Sequence, residues 1–534
     1  MRQLNYLFLC IGWLVQAPLV AQTYQVPATI EWGEELREPS GTYMSKIIGT
    51  LGNNFYTLRE ETEGGLVKKK RTKIYIESYN QKLRLLKSRD IDLKYKNKHL
   101  DFEDVIMLGR KLYVLSSFNN QAKKKNYLFT QEISSKSLQP RRDLRMIGEI
   151  DSRSKFQEGT FDYHISRDSS KILIYNGLPY KKRQPERFAL RVYDEQFEEI
   201  WSRNITLPYN DERFSVEEYR MDNEGNVYLL GIIYENASRT ERRGRPTYQY
   251  IILAYSKDGE EVEEYRIDFE DKFITDLTFR VGNDRNLVCT GFYSDRGTSS
   301  VKGTYFFRIN TRTKEMFNKN LKTFDFDFIT EDLSERRKEK LKNAERKGDT
   351  RRQAELYQYA LDDLILRSDG GALLVAEQFF VQERVQRDYF YGTFNYDYYY
   401  NYNDIIVVNI RPDGTIEWAT RIPKRQVTTN DFGYFSSYAM SIVRDKIYFV
   451  YNDNSRNFEN RRNNDRIFNY NGRNSIIALT ELRKDGTTNT YPLFNNRDAE
   501  IITRPKICKQ MGRKRMLIYG ERGRKYRFAS LQFD

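Results

Sequence analysis

Histidine is almost missing. His99 and His164 are the two in 534 residues, and neither stands at metal-ligand spacing from a cysteine or from the other. Cysteine is scarce too, at Cys10, Cys289 and Cys508. That leaves little for a His/Cys metal centre or for a nucleophile served by a histidine base. No glycine-rich phosphate loop follows a strand-like run, so nucleotide chemistry has no foothold. After the first 20 or so positions no apolar run is long enough to span a bilayer. Proline is rare, while tyrosine and phenylalanine number 40 and 32. Few prolines and many aromatics suit packed β-structure and argue against a disordered chain.

The chain opens MRQLNYLFLCIGWLVQAPLVAQ. A short basic start at Arg2, an apolar stretch from Leu4 to Val20 and the small-residue pattern Leu19-Val20-Ala21 predict a signal peptide over 1–21. An uncleaved anchor is the other reading, but the stretch is short and breaks at Pro18. Residues 22–534 are then one secreted domain, expected in the periplasm or on the outer surface of a Gram-negative cell. Cys289 and Cys508 both lie inside apolar runs, which predicts buried free thiols in place of a disulfide.

A turn followed by a short apolar strand recurs eight times. The copies begin at GNNFYTLRE (52–60) and GRKLYVLSS (109–117) and end at RDKIYFVYN (444–452) and RKRMLIYGE (513–521). Each is followed by a hairpin pattern, with Asp-Gly turn signals at Asp258, Asp413 and Asp485. With a weaker strand before each turn, every repeat supplies four antiparallel strands, A to D. That is a propeller blade. The last hairpin lacks its second half, because the chain stops at YRFASLQFD. The missing strand is present near the start: Thr29-Ile30-Glu31-Trp32 repeats Thr415-Ile416-Glu417-Trp418 of the sixth hairpin. The expected fold is all-β, an eight-bladed β-propeller closed by its N-terminal strand. Seven blades is the alternative if two weak repeats merge.

At the level of architecture the chain resembles the eight-bladed propellers of secreted bacterial proteins, quinoprotein-type rings and outer-membrane assembly propellers among them. Trp32, Trp201 and Trp418, at the starts of D strands, are similar to the tryptophan-docking positions of such rings. The other blades lack the tryptophan and the Thr-Gly part of that motif is missing. No adjacent cysteine pair occurs, so the resemblance implies no quinone enzymology. The WD dipeptide and the Ser-x-Asp-x-Gly boxes of sialidases are absent as well. No cofactor is expected.

In an up-and-down blade the B–C and D–A connections share one face of the disc, and nearly all the extra sequence falls there. A helical insertion is expected between blades 5 and 6, over about 330–357, capped by Thr330 and broken at Gly348. A tyrosine-rich B–C loop is expected in blade 6, over about 382–403, with Asn403-Asp404 as its turn. The same face carries basic runs, including Lys68-Lys69-Lys70-Arg71, Lys123-Lys124-Lys125, Lys181-Lys182-Arg183, Arg242-Arg243, Arg461-Arg462 and Arg522-Gly523-Arg524-Lys525. Lysine and arginine exceed the acids by 14 over the chain, so a cationic field over this face is expected.

The candidate binding residues are Tyr396, Tyr398, Tyr399, Tyr400 and Tyr402 together with those basic loops. Tyrosine offers contact area at small cost in side-chain freedom. The favoured function is a non-enzymatic binding or scaffolding propeller for an envelope or surface protein, an anionic polysaccharide or lipopolysaccharide. Nucleic acid is not an expected partner. The alternative is a secreted carbohydrate-active enzyme with carboxylates at the channel mouth, drawn from Asp325, Asp327, Asp362, Asp363 and Asp404, which are also the candidates for a Ca²⁺ site.

Overall fold

The computed structural model describes residues 25–534 except 62–72, 153–158, 179–183, 211, 236–239, 243–244, 270–271, 332, 350–351, 388–393 and 460–466. Strands follow one another in antiparallel groups of four. Seven groups occupy 42–91, 101–151, 160–210, 214–267, 273–323, 359–422 and 438–495. The eighth takes strands B and C, Arg515–Arg522 and Lys525–Phe533, from the end of the chain. Its strand D, Ala28–Trp32, comes from the other end. Thr29 stands opposite Gln532 and Trp32 opposite Ala529, the closure that the repeated TIEW predicts.

Packing decides between eight blades and seven. Eight separate apolar clusters lie one at each contact between successive blades. Tyr228, Leu230, Leu277 and Phe279 belong to the one between blades 4 and 5. Met44, Phe55, Tyr519 and Tyr526 belong to the one between blades 8 and 1. A strand in the middle of a blade is covered on both faces, so it reads as an unbroken apolar run. Ile405 to Val408, all fully buried, is the plainest case.

The tryptophans join neighbouring blades. Trp201 donates from Nε1 to the carbonyl of Gly225 at 3.0 Å, and Trp418 to that of Lys484 at 3.0 Å. The Asp-Gly turns of the following blades slide beneath the same rings. Gly259 and Gly486 have φ of +75° and +85°, and a Cβ on either would come within 3 Å of the indole. Turn geometry and close approach both require glycine at these two positions.

Cys289 is buried in blade 5 and Cys508 is half-buried in blade 8, each as a free thiol. Burial pushes both thiols up, Cys508 to about 12. Neither forms appreciable thiolate at neutral pH. The native protein is therefore expected to resist a thiol reagent such as DTNB and to react at both cysteines once unfolded. Fast reaction in the native state, or an intramolecular disulfide found by mass spectrometry, contradicts this placement.

Two local expectations are corrected. Thr330 does not cap the long helix. It closes a short one, α1 (Phe326–Thr330), with its hydroxyl bonded to the Phe326 carbonyl at 2.8 Å. Phe324 and Phe328 pack at 4.9 Å and Ile329 is buried, so apolar packing draws this turn into helix. The long helix α2 (Glu335–Arg346) starts after Ser334 and ends before Gly348, whose φ is +65°.

The tyrosine run is not a loop. It lies in strand C of blade 6, Phe394–Ile410, paired with a strand B of Ala372–Arg387. Asn403-Asp404 is not a turn but sits at the bulge where the register shifts between Glu377 and Phe379. Polarity did not stop the strand, because cross-strand pairs of aromatic and branched residues stabilise a ribbon even where it is exposed.

Candidate functional site

Strands A of adjacent blades touch around the axis, and their side chains stitch the blades together. Lys46 reaches Asp104 at 2.6 Å, and Asp104 also accepts from Tyr163, so blades 1, 2 and 3 are linked. Arg280 bridges Glu218 at 3.5 Å and Asp363 at 3.1 Å, linking blades 4, 5 and 6. Tyr438 donates to Asp362 at 2.6 Å between blades 7 and 6. His164 lies beside Arg220, with 3.4 Å between nitrogens. Burial and the charges of Arg220 and Arg280 push its pKa down to about 4, so at neutral pH it is an uncharged wall residue. His99 is exposed, 3.5 Å from Asp92.

Asp362 keeps exposed surface in the channel, yet protein crowds around it. Desolvation pushes its pKa up to about 7, against the opposing bond from Tyr438. A raised carboxyl pKa gives stability that is present below the unfolded value and lost as pH rises through the folded one. Asp362→Asn should therefore raise the melting temperature more at pH 8 than at pH 5, by about 1–2 °C given the exposed surface. An equal change at both pH values would refute the assignment.

The five candidate acids do not converge. Asp362 and Asp363 are held by Tyr438 and Arg280. Asp404 is held by Arg421 and the Lys424 amide. Asp325 precedes α1 and Asp327 lies in its first turn. Among the described residues no group of three His, Cys, Asp or Glu side chains is placed to hold a metal ion.

A large groove lies on the loop-rich face. Strands B and C of blade 6 run past strand A, whose pairing ends at Tyr359 with Gln378. They continue as a ribbon to Arg387 and Phe394. A short strand from the D–A link, Gln426–Thr429, pairs with Tyr399 to Tyr402 on the far side of strand C. A polar knot fixes the base of this ribbon. The Lys424 ammonium, fully buried, donates to Glu377 at 2.6 Å, to the Tyr402 carbonyl at 2.9 Å and to Gln426 at 3.1 Å.

Cross-strand pairing assigns the ribbon's two faces. Phe379, Val381, Glu383 and Val385 pair with Tyr402, Tyr400, Tyr398 and Tyr396, forming an aromatic face. Phe379 meets Tyr402 at 4.6 Å, and Phe432 covers Tyr400 at 5.5 Å. Lys506 of blade 8 donates to the Tyr402 hydroxyl at 2.8 Å. Tyr396 and Tyr398 remain 51% and 38% exposed. Tyr399 points to the opposite face, with Phe380, Gln382 and Asn401. The five tyrosines therefore do not make one surface.

That opposite face borders a groove of about 1490 Å³, with α2 on the other side. Phe380 packs against Tyr357 at 5.5 Å on its floor. Several lining cations are paired, among them Arg296 with Glu355, Lys338 with Glu335 and Arg352 with Asp349. Arg337 and Lys340 of α2, Lys347 at its C-terminal cap, and Arg425 of the D–A link line the groove exposed and have no ion partner among the described residues. Residues 337, 340, 344 and 347 follow helical spacing and share a side of α2. That spacing is the sequence signal for these cations.

The basic loops fare differently. Lys68, Lys69, Lys70, Arg71, Lys181, Lys182, Arg183, Arg243, Arg461 and Arg462 lie outside the described residues. The backbone of Arg242 pairs with Arg245, and its side chain lies outside the description. Lys125 is spent on Glu149 and Asp151, and Lys525 on Glu35. Arg522 to Lys525 make a tight turn. Residues 1–21 also lie outside. Among the described residues no helix is long and apolar enough to cross a membrane.

No family model and no curated protein matches the sequence. Among solved structures, the chain is similar to a protein of unknown function from Bacteroides caccae, at 10% identity and a TM-score of 0.27, over 65% of this chain and 90% of that one. The β-propeller domain of the Trilobed protease from Pyrococcus furiosus matches at 11% identity and a TM-score of 0.31, over 73% and 94%. An apocarotenoid oxygenase from Synechocystis matches at 10% identity and a TM-score of 0.34, over 88% and 95%. The blade count rests on the strand pairing of this chain.

Proposed function

We propose that the protein is a non-catalytic binding propeller, exported to the cell envelope, that holds an acidic partner on its loop-rich face. The groove between α2 and the blade 6 ribbon carries this reading: Arg337, Lys340, Lys347 and Arg425, without an ion partner among the described residues, line it beside the polar and aromatic side of the ribbon. Cations fixed on a rigid wall favour anionic ligands and speed their approach. The propeller supplies rigidity, and the two insertions supply the surface.

The combined variant Arg337→Glu, Lys340→Glu, Lys347→Glu is expected to bind immobilised poly-glutamate at least about tenfold more weakly than the unmodified protein. Lys82, Lys136 and Lys484, exposed in C–D turns, serve as the control when reversed together. Added salt should weaken binding by the unmodified protein and by the control alike. Equal loss in both triple variants would mean that net charge, not the groove, attracts the ligand, and would overturn the proposal.

A further inference from the structure

Strand B of blade 6 has an unpaired edge. Between Phe379 and Arg387 it pairs with strand C on one side and with no strand on the other, among the described residues. The amide of Phe379 donates to the Gln358 carbonyl at 3.1 Å, away from strand C. Backbone direction alternates along a strand, so Val381, Glu383 and Val385 present their N–H and C=O groups on that same free side. Residues 381 to 385 are all exposed.

Proteins usually blunt such an edge with proline, lysine, a bulge or a short strand. The bulge here lies below, beside Gln378, and the stretch FVQERVQR (380–387) has neither proline nor lysine. We infer that this edge is a docking site for an extended peptide segment of a partner protein, which adds to blade 6 as a further strand beside strand B. The inference rests on the proposed function and names the partner and its mode of binding.

The two faces of the ribbon define the peptide's chemistry. Side chains of an added strand alternate between those faces. On one they meet Phe379, Val381 and Val385, which are 36%, 45% and 50% exposed, with Glu383 between the two valines. On the other they meet Gln382 and Arg384, next along the strand from Phe380, where the groove with the α2 cations begins. The fitting segment alternates branched or aromatic apolar residues with aspartate or glutamate. Backbone pairing supplies affinity and the alternating side chains supply choice.

The test pans a display library of random decapeptides against the full protein, then measures the enriched peptides in solution. The expected peptides have a two-residue period with acids at one phase. Glu383→Pro removes a free-edge N–H and spares the ladder to strand C, where an edge proline is tolerated. It should weaken binding by at least about tenfold, while Glu383→Ala retains it.

A second readout does not depend on how the variant folds. Methylating alternate backbone amides of a selected peptide should abolish binding in one phase and spare it in the other. Equal effects in both phases, equal binding by the two Glu383 variants, or enrichment without strand period overturns strand addition. If no peptide is enriched and an anionic polysaccharide still binds, depending on Arg337, Lys340 and Lys347, strand addition fails and the proposed function stands. If neither ligand depends on those cations, both fail.

Discussion

A chain lacking residues 25–38 is expected to lose its folded monomer and to run as oligomers or aggregate. Three sets of contacts vanish together. The ladder from Ala28 to Trp32 against Ala529 to Phe533 goes first. The Gly33 amide bond to the Phe528 carbonyl at 2.9 Å and the short pairing of Leu36 with Tyr526 go with it. Glu38 is lost as well, the buried carboxylate that accepts from Arg59 at 2.9 Å and from Tyr519 at 3.0 Å. Arg59 is fully buried and lies 4.0 Å from the Tyr526 ring centroid. Among the described residues it would keep Glu77, at 3.0 Å, as its carboxylate partner. Strand C of blade 8 becomes an open edge, free to recruit another chain. The combined loss should exceed about 5 kcal/mol. Light scattering and calorimetry check it, and a truncated monomer with unchanged melting temperature would disprove ring closure.

The second large effect is expected at Lys424→Met. The ammonium sits among Glu377, Gln426 and the Tyr402 carbonyl with no exposed surface. Methionine fills similar space but leaves the Glu377 carboxylate buried and short of a countercharge, although Ser437 still donates to it at 2.8 Å. Breaking one side of such a pair costs about 3–5 kcal/mol. Adding Glu377→Gln to Lys424→Met removes the stranded charge and should recover more than half of the loss. The thermal midpoints of the two variants decide this. A double variant no more stable than the single one would place the cost in lost packing. The knot lies at the base of the ribbon, so Lys424→Met should also weaken binding at the groove.

The repeat of apolar strands, the Asp-Gly turns and the duplicated TIEW are local or near-identical patterns. They were enough for the four-stranded unit, the number of units and the closing strand. Periodicity survives in sequence because each blade meets the same packing problem, a sheet buried on both sides by its neighbours. The basic runs were legible as charge. Their side-chain partners were not, because Lys125 and Lys525 are neutralised by acids whose positions depend on strand register.

The tyrosine run shows where sequence alone stops. Its composition reads as a loop, although aromatics at 394, 396, 398, 400 and 402 alternate with Asn395, Asp397, Asn401 and Asn403 and so carry the two-residue period of a strand. It becomes one because Phe379 to Arg387 lies opposite it and Gln426 to Thr429 supports its far edge. The resulting pairing turns Tyr399 away from Tyr396, Tyr398, Tyr400 and Tyr402. The cations of α2 likewise acquire meaning only when the helix and the ribbon stand across a groove. The sequence by itself determined the blade, its repetition and the ring, since these follow from local hydrophobic pattern and turn chemistry. Tertiary structure alone decided which face each tyrosine takes and which charges stay unpaired, since both depend on pairing between segments remote along the chain.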